Sequence, residues 1–316
     1  MKVQPFAAPQ RATNPKVGYL FAALNAVVSG IAIYVNSQGV KLFSDATLYT
    51  TLKNAVTGLV LLLPVLFLAR CRNELRRLDA RQWGWLLLLA LIGGSIPYLL
   101  FFRGLQLTTP VTSSVLNHAQ FLLVAVLALL FLRERVGLAV WVALAVLFVG
   151  ASLGANLQAL RWNEGVWLLA LSTLFFAAGV VLAKRLLSTL SMETVMAAKM
   201  SLGSVFLLAY VAATGRVTAI GALSGAQWRF VLVTGLILLA FTVTAFVALR
   251  HIPATTATAI PVAAPLITAA LVAINAGAIT LRTSDVAGLT LMVVAVAVIV
   301  FVGLRREPRI GNVGVA

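Results

Sequence analysis

This sequence is short of charge: only 10% of its 316 residues are Asp, Glu, Lys or Arg, where a soluble domain carries about 25%. A water-facing surface cannot be built from so few charges, so most of the surface must meet lipid. Acids are scarcer still, eight Asp and Glu against 24 Lys and Arg, and all eight fall in loops or at the ends of apolar runs. No two carboxylates share an apolar run, which excludes paired acid–base chemistry inside a membrane. The single Cys71 excludes an internal disulfide and a cysteine-based metal site. There is no Gly-x4-Gly-Lys-Ser/Thr phosphate loop, no His-Glu-x-x-His and no paired His/Cys spacing. Neither an enzyme nor a primary pump is expected, and no cofactor or metal is implied. The polar first fifteen residues have no apolar core, so no cleaved signal peptide is expected.

Long apolar runs fill the rest of the chain. Runs of about 20 residues, the length that crosses a bilayer core as a helix, place ten transmembrane helices at 16–36, 46–69, 83–102, 108–131, 137–156, 164–184, 192–213, 228–249, 255–278 and 285–304. The expected fold is therefore an all-α integral membrane protein without a soluble domain. With the N-terminus in the cytoplasm, sixteen Lys and Arg lie in cytoplasmic segments and six opposite, the bias of positive loops staying inside. The net charge of +16 is thus topological and does not point to nucleic acid. An even helix count returns the C-terminus to the cytoplasm, and the expected location is the cell membrane. Trp83, Trp85, Trp141, Trp162, Trp167 and Trp228 fall near helix ends, as interfacial anchors should.

The two halves repeat. An offset of about 146 residues pairs Gly18 with Gly165, Asp45 with Ser191, Lys53 with Lys199, Pro110 with Thr255 and Gln120 with Pro265. Residues 1–15 form a cytoplasmic tail, 16–156 the first five-helix repeat, 164–304 the second, and 305–316 a second cytoplasmic tail. Five is odd, so the second repeat enters the membrane from the other side. Two inverted five-helix repeats are a known basis for alternating access, with the site at their interface.

Few polar groups fall inside the spans. Lys53 and Lys199 are the charged ones, and intramembrane charge marks a site by default. Thr50, Lys53, Asn54 and Thr57 share one helix face; a cavity role competes with snorkelling to the headgroups and with a bridge to neighbouring carbonyls. Asn25 lies mid-span on a stripe with Ser29 and Asn36, serving either substrate or helix contact. Ser113, Asn117 and Gln120 share a face of the fourth helix beside His118. His118 is the candidate proton carrier, or else a packed hydrogen-bonding group. Pro261 and Pro265 each remove a backbone donor and free a carbonyl, making hinges or cavity-lining breaks; Pro97, after Gly93 and Gly94, offers a similar bend. Tyr98, Phe101 and Phe102 supply either an aromatic wall or packing. The candidate substrate-binding set is Asn25, Lys53, Tyr98, Asn117, His118, Gln120 and Lys199, with Pro97, Pro261 and Pro265 as hinges.

The segment Ala248-Leu-Arg-His-Ile-Pro-Ala-Thr-Thr-Ala-Thr-Ala-Ile-Pro-Val-Ala-Ala-Pro265 resembles the eighth-to-ninth helix signature of the EamA-type drug/metabolite transporters. Phe131-Leu-Arg-Glu-Arg135, before a Gly/Ala-rich helix ending at Gly150, is similar to that family's Gly-Glu-Arg turn. Two features depart from the family: Gln120 replaces a proline, and Ile279-Thr-Leu-Arg282 lacks the acid that Glu134 supplies in the first half. The resemblance implies ten helices and a central cavity lined chiefly by helices 1, 3, 4, 6, 8 and 9. The function it implies is a secondary transporter, most simply an exporter, of small organic metabolites. With two cations and no intramembrane acid, the cavity should favour carboxylates, phosphates and amino acids. A passive facilitator is the alternative. The expected partners are a small-molecule substrate and membrane lipid, and a homodimer is left open.

Overall fold

In the computed structural model, the described residues are 14–39, 42–108, 116–117, 119–153, 163–276 and 283–305, and no strand occurs among them. In chain order the elements are α1 (Pro15–Gly39), α2 (Ala46–Phe67), α3 (Ala69–Arg76), α4 (Ala80–Gly94) and α5 (Ile96–Leu107). Next come α6 (Gln120–Leu127), which runs into a π turn at Ala128–Leu132, then α7 (Leu138–Ser152) and α8 (Glu164–Leu186). The seventh expected span consists of α9 (Met192–Ala197), a π turn at Ala198–Leu202 and α10 (Gly203–Ala213). The one-turn α11 (Thr218–Gly221) leads to α12 (Gly225–His251). The chain then forms α13 (Ala254–Ala259), a 3-10 turn at Ile260–Ala263, α14 (Ala264–Ala276) and α15 (Thr283–Arg305).

Eight of these stretches are long and apolar enough to cross a bilayer: Pro15–Asn36, Ala46–Phe67, Ala80–Leu107, Glu164–Leu186, Met192–Ala213, Gly225–His251, Ala254–Asn275 and Thr283–Arg305. Gln120–Leu132 and Leu138–Ser152 are shorter apolar helices. Phe67, Phe131, Leu138 and Ile274 are exposed, as lipid-facing side chains are in a chain of this composition. Trp83, Trp85, Trp167 and Trp228 are exposed near helix starts. Trp162 lies outside the described residues.

Polar residues mark the helix starts. The Asp45 carboxylate accepts from the Thr47 and Leu48 amides, and Asp79 with Gln82 forms a reciprocal capping box at the start of α4. Asn163, Ser191 and Ser224 cap α8, α9 and α12 in the same way. Each cap satisfies an amide that the first turn would leave bare.

Three local features depart from the sequence expectation. The third span, expected as one helix over 83–102, breaks at Ser95 (φ −138°, ψ −65°). Pro97 stands in the first turn of the new helix, where its missing N–H costs nothing, and the Ser95 hydroxyl bonds back to the Ala90 carbonyl at 3.1 Å. The arginine-rich connection after α2 is not a plain loop but contains α3, started at Leu68 just after the in-helix Pro64. The seventh span is interrupted by the π turn that carries Lys199, a widening common at functional sites.

Packing between the halves is reciprocal. Helix α1 lies against α12 as α8 lies against α5; α2 lies against α12 as the second-half π turn lies against α4; α1 lies against α14 as α8 lies against α6. Gly18 of α1 abuts His251 and Ile252, and its offset partner Gly165 abuts Gly104, Leu107 and Thr108. Helices α7 and α15 pair directly, with an alanine Cβ at Gly150 falling 2.9 Å from the Gly288 carbonyl oxygen. Small residues at crossings let backbones approach where lipid supplies no hydrophobic drive.

Candidate functional site

A cavity of about 440 Å3 lies between the halves. Helices α1, α5, α6, α8, α12 and the ninth span supply most of its wall, and α2 and the π turn add only Thr50, Lys53 and Lys199. Among the described residues no Asp or Glu lines it. Each ammonium sits over an aromatic face: Lys53 Nζ lies 5.0 Å from the Tyr49 ring centroid, and Lys199 Nζ 5.6 Å from that of Phe246. Such contact offsets part of the cost of holding a cation away from water. Snorkelling is not the geometry seen, since both lysines border the cavity.

The remaining candidates are distributed as follows. Asn25, Tyr98, Asn117, Gln120, Pro261 and Pro265 all line the cavity. His118 lies outside the described residues. Asn25 also joins helices: its Nδ2 donates to the Phe241 carbonyl and to Thr244 Oγ1, both at 2.8 Å. Tyr98 meets Phe176 edge-on at 5.0 Å, and Phe101 meets Phe102 edge-on at 5.5 Å, so the aromatic residues of the third span both pack together and face the cavity. Pro97 does not line the cavity; its carbonyl accepts from Ser172 Oγ at 2.7 Å. Pro261 lies in the 3-10 turn at the cavity wall, and because it has no N–H, the Ala257 carbonyl lacks its helical donor.

The polar stripe of α2 divides its tasks. Thr50 and Lys53 face the cavity, and Thr57 Oγ1 donates to the Gly235 carbonyl of α12 at 2.8 Å. Asn54 donates to the Thr50 carbonyl at 2.8 Å, which leaves Asn54 Oδ1 and Thr50 Oγ1 buried without protein partners. Buried polar atoms without protein partners are suited to water or a polar ligand group.

Sequence reasoning missed the notches that let Lys199 reach the cavity. An alanine Cβ at Gly94 would fall 2.2 Å from the Lys199 carbonyl oxygen, and one at Gly179 would fall 2.7 Å from the Gly93 Cα. Helix α4 can nest the π turn only through bare glycine backbone. The doubled Gly93-Gly94 in mid-span was the available signal.

The arginine-rich end is tied across elements. The Glu134 carboxylate accepts from the Ala254 amide at 2.7 Å, the Thr255 amide at 3.3 Å and Thr255 Oγ1 at 3.0 Å. Lys184 Nζ donates to the Leu249 and Ile252 carbonyls at 2.5 and 2.8 Å. Glu74 of α3 accepts from the amide and hydroxyl of Ser191 and from Thr194 Oγ1, and the Asn14 amide donates to His251 Nδ1 at 3.1 Å.

Apolar spans packed around a cavity with two cations, and no acid among the described residues that line it, are the architecture of a multi-pass membrane protein. Residues 16–154 and again 163–301 match the EamA-like transporter family; the chain belongs to that family and is a membrane transporter of the drug/metabolite superfamily. A solved crystal structure of a protein superimposes with a TM-score of 0.70 at 19% identity, covering 93% of this chain and 98% of that one. At that identity the likeness speaks for the fold alone. No curated protein matches the chain.

Proposed function

We propose that this protein is a ten-span secondary transporter, built from two inverted repeats, that exports small organic metabolites across the cell membrane by alternating access, with both termini cytoplasmic. The reciprocal packing of the halves supports the repeat, and the excess of basic loops on one side supports the orientation. The substrates are organic anions and amino acids. One observation carries that class: Lys53 and Lys199 border the cavity while no described carboxylate does. In a medium of low dielectric an unpaired ammonium attracts an anion far more strongly than it would in water.

The test is flux in liposomes containing Lys53→Ala and Lys199→Ala proteins. Uptake of carboxylate substrates is expected to fall at least about tenfold, the loss of one charge-assisted contact. Unchanged flux of anions in both variants would exclude the assignment. Counterflow separates the carrier from a passive facilitator, because a carrier's uptake is stimulated by substrate on the far side. A buried core including Leu186, Leu187, Ala248, Ile252 and Ala254 lies at the arginine-rich end, which favours the carrier.

A further inference from the structure

The corner between α12 and α13 is held from two directions by opposite charges. Its last carbonyls, those of Leu249 and Ile252, take the Lys184 ammonium from α8. Its first amides, those of Ala254 and Thr255, are taken by the Glu134 carboxylate, which follows the π turn after α6. Arg133, at φ 55°, makes the left-handed turn that ends this π segment and brings Glu134 round. Each charge has the sign that a helix end favours, cation at the C-terminus and anion at the N-terminus. The corner borders the cavity through Leu249, Ala257 and Thr258. The clamp therefore ties the cavity floor to two other spans.

The opposite end lacks the same pair of charges at the matching places. Residues 34–40, which the offset pairs with the Lys184 region, contain no Lys or Arg, and Ile279–Arg282, paired with the Glu134 turn, contain no acid. The ties at that end include Asn163 Nδ2 donating to the Leu107 carbonyl at 3.2 Å, Gln227 Nε2 donating to the Leu42 carbonyl at 2.8 Å, the Tyr49 hydroxyl donating to Asn36 Oδ1, and an Arg216–Asp45 pair at 3.2 Å. The two contacts from Asn163 and Gln227 are neutral, and the ion pair is partly exposed to solvent, where such pairs contribute little.

We propose that Glu134 and Lys184 are positioning residues for transport: they clamp the cavity shut at its arginine-rich end, so that the resting protein presents Lys53 and Lys199 to the opposite side and turnover requires this clamp to open. The proposal rests on alternating access, since a clamp on one end biases a two-state equilibrium only if the other state exists. It makes the two nearly symmetric halves unequal in energy, although they are alike in packing.

Sided labelling tests it apart from transport. In a Cys71→Ala background, Val180→Cys puts a thiol on the cavity wall, and Ser188→Cys reports which face a membrane-impermeant methanethiosulfonate reaches. In the parent, Val180→Cys is expected to label from the face opposite Ser188→Cys. Adding Glu134→Gln or Lys184→Met is expected to raise labelling from the Ser188 face roughly fivefold or more, and Lys184→Arg to restore the parent pattern. Thr255→Val, which removes one of the three contacts to Glu134, is expected to give a smaller rise and serves if the stronger variants do not fold. Labelling that stays one-sided in every folded variant overturns the clamp. If the labelling behaves as expected but Lys53→Ala and Lys199→Ala leave anion flux unchanged, the substrate assignment fails and the clamp stands.

Discussion

Lys53 and Lys199 hold matching places in the two repeats, yet the chain brings them to the cavity by different means. Lys53 stands in an unbroken α-helix, and its carbonyl oxygen lies 3.4 Å from where a Cβ at Gly235 would sit. Lys199 stands in a π turn, and its carbonyl lies only 2.2 Å from the corresponding point at Gly94. Each lysine's helix thus crosses a glycine of the other half, but the second crossing is far tighter. Sequence repetition preserves which residue type reaches the centre; the backbone around each copy adjusts to its own neighbours.

The sharpest way to break this pairing is at the tighter crossing. Gly94→Ala sets a methyl group against backbone, which cannot rotate away, and is expected to destabilise the protein by about 3 kcal/mol or more, read as lost folded yield and a lower midpoint of thermal unfolding in detergent. At Gly235 the nearest atom is the side-chain Cγ1 of Val56, at 2.7 Å. A rotamer change can move Cγ1 but not the Val56 Cβ, which lies 2.9 Å from the same point, so the helices must part slightly and Gly235→Ala is expected to cost about 2 kcal/mol, still less than Gly94→Ala. Equal losses at the two glycines would contradict the asymmetry.

Function and stability should separate at the lysines themselves. Lys53→Met and Lys199→Met keep side-chain length while removing a cation that no described carboxylate faces across the cavity. Each is expected to leave the unfolding midpoint unchanged or raised, because a charge without its partner is costly to bury. A marked fall in the midpoint for Lys53→Met would mean that the ammonium bridges helices instead. Between these sites and the surface, Thr57→Val removes the hydroxyl that bonds the Gly235 carbonyl and is expected to cost about 1 kcal/mol, with no change in anion preference.

The smallest effect is expected at the arginine-rich end. Burial pushes the Cys71 thiol pKa up, with Glu193 and Glu74 adding to the rise and Arg70 opposing it in part, so little thiolate exists at neutral pH. Maleimide labelling of the native protein should be slow at pH 7 and quicken as pH rises, and should become rapid at pH 7 once the protein is unfolded. Fast labelling of folded protein would show α3 detached from the start of α9.

The candidate site was legible in part because polar groups are rare in this chain. When Asn25, Lys53, Gln120 and Lys199 interrupt hydrocarbon-length helices, the cost of facing lipid directs them inward, and the structure places all four on one cavity. Roles were less legible than positions. Asn25 reads equally as a ligand contact or a helix tie, and only the bonds to Phe241 and Thr244 show the tie. Pro97 signalled a bend, but the break fell at Ser95, because proline is accommodated at the start of the next helix rather than at the break itself. The π turn at Lys199 left no trace in the hydropathy, which registers how apolar a residue is and not how its backbone bonds.

By itself, the sequence determined that the chain is helical and lives in a membrane, and that its halves repeat. Composition and run length suffice for these, since backbone amides in lipid must bond within their own segment. Only the tertiary structure decided that two lysines 146 residues apart share one cavity, that bare glycines admit one of them, and that Glu134 and Lys184 meet at one corner. Those facts depend on which helix faces cross, and crossings are set by side-chain fit between segments far apart in the chain.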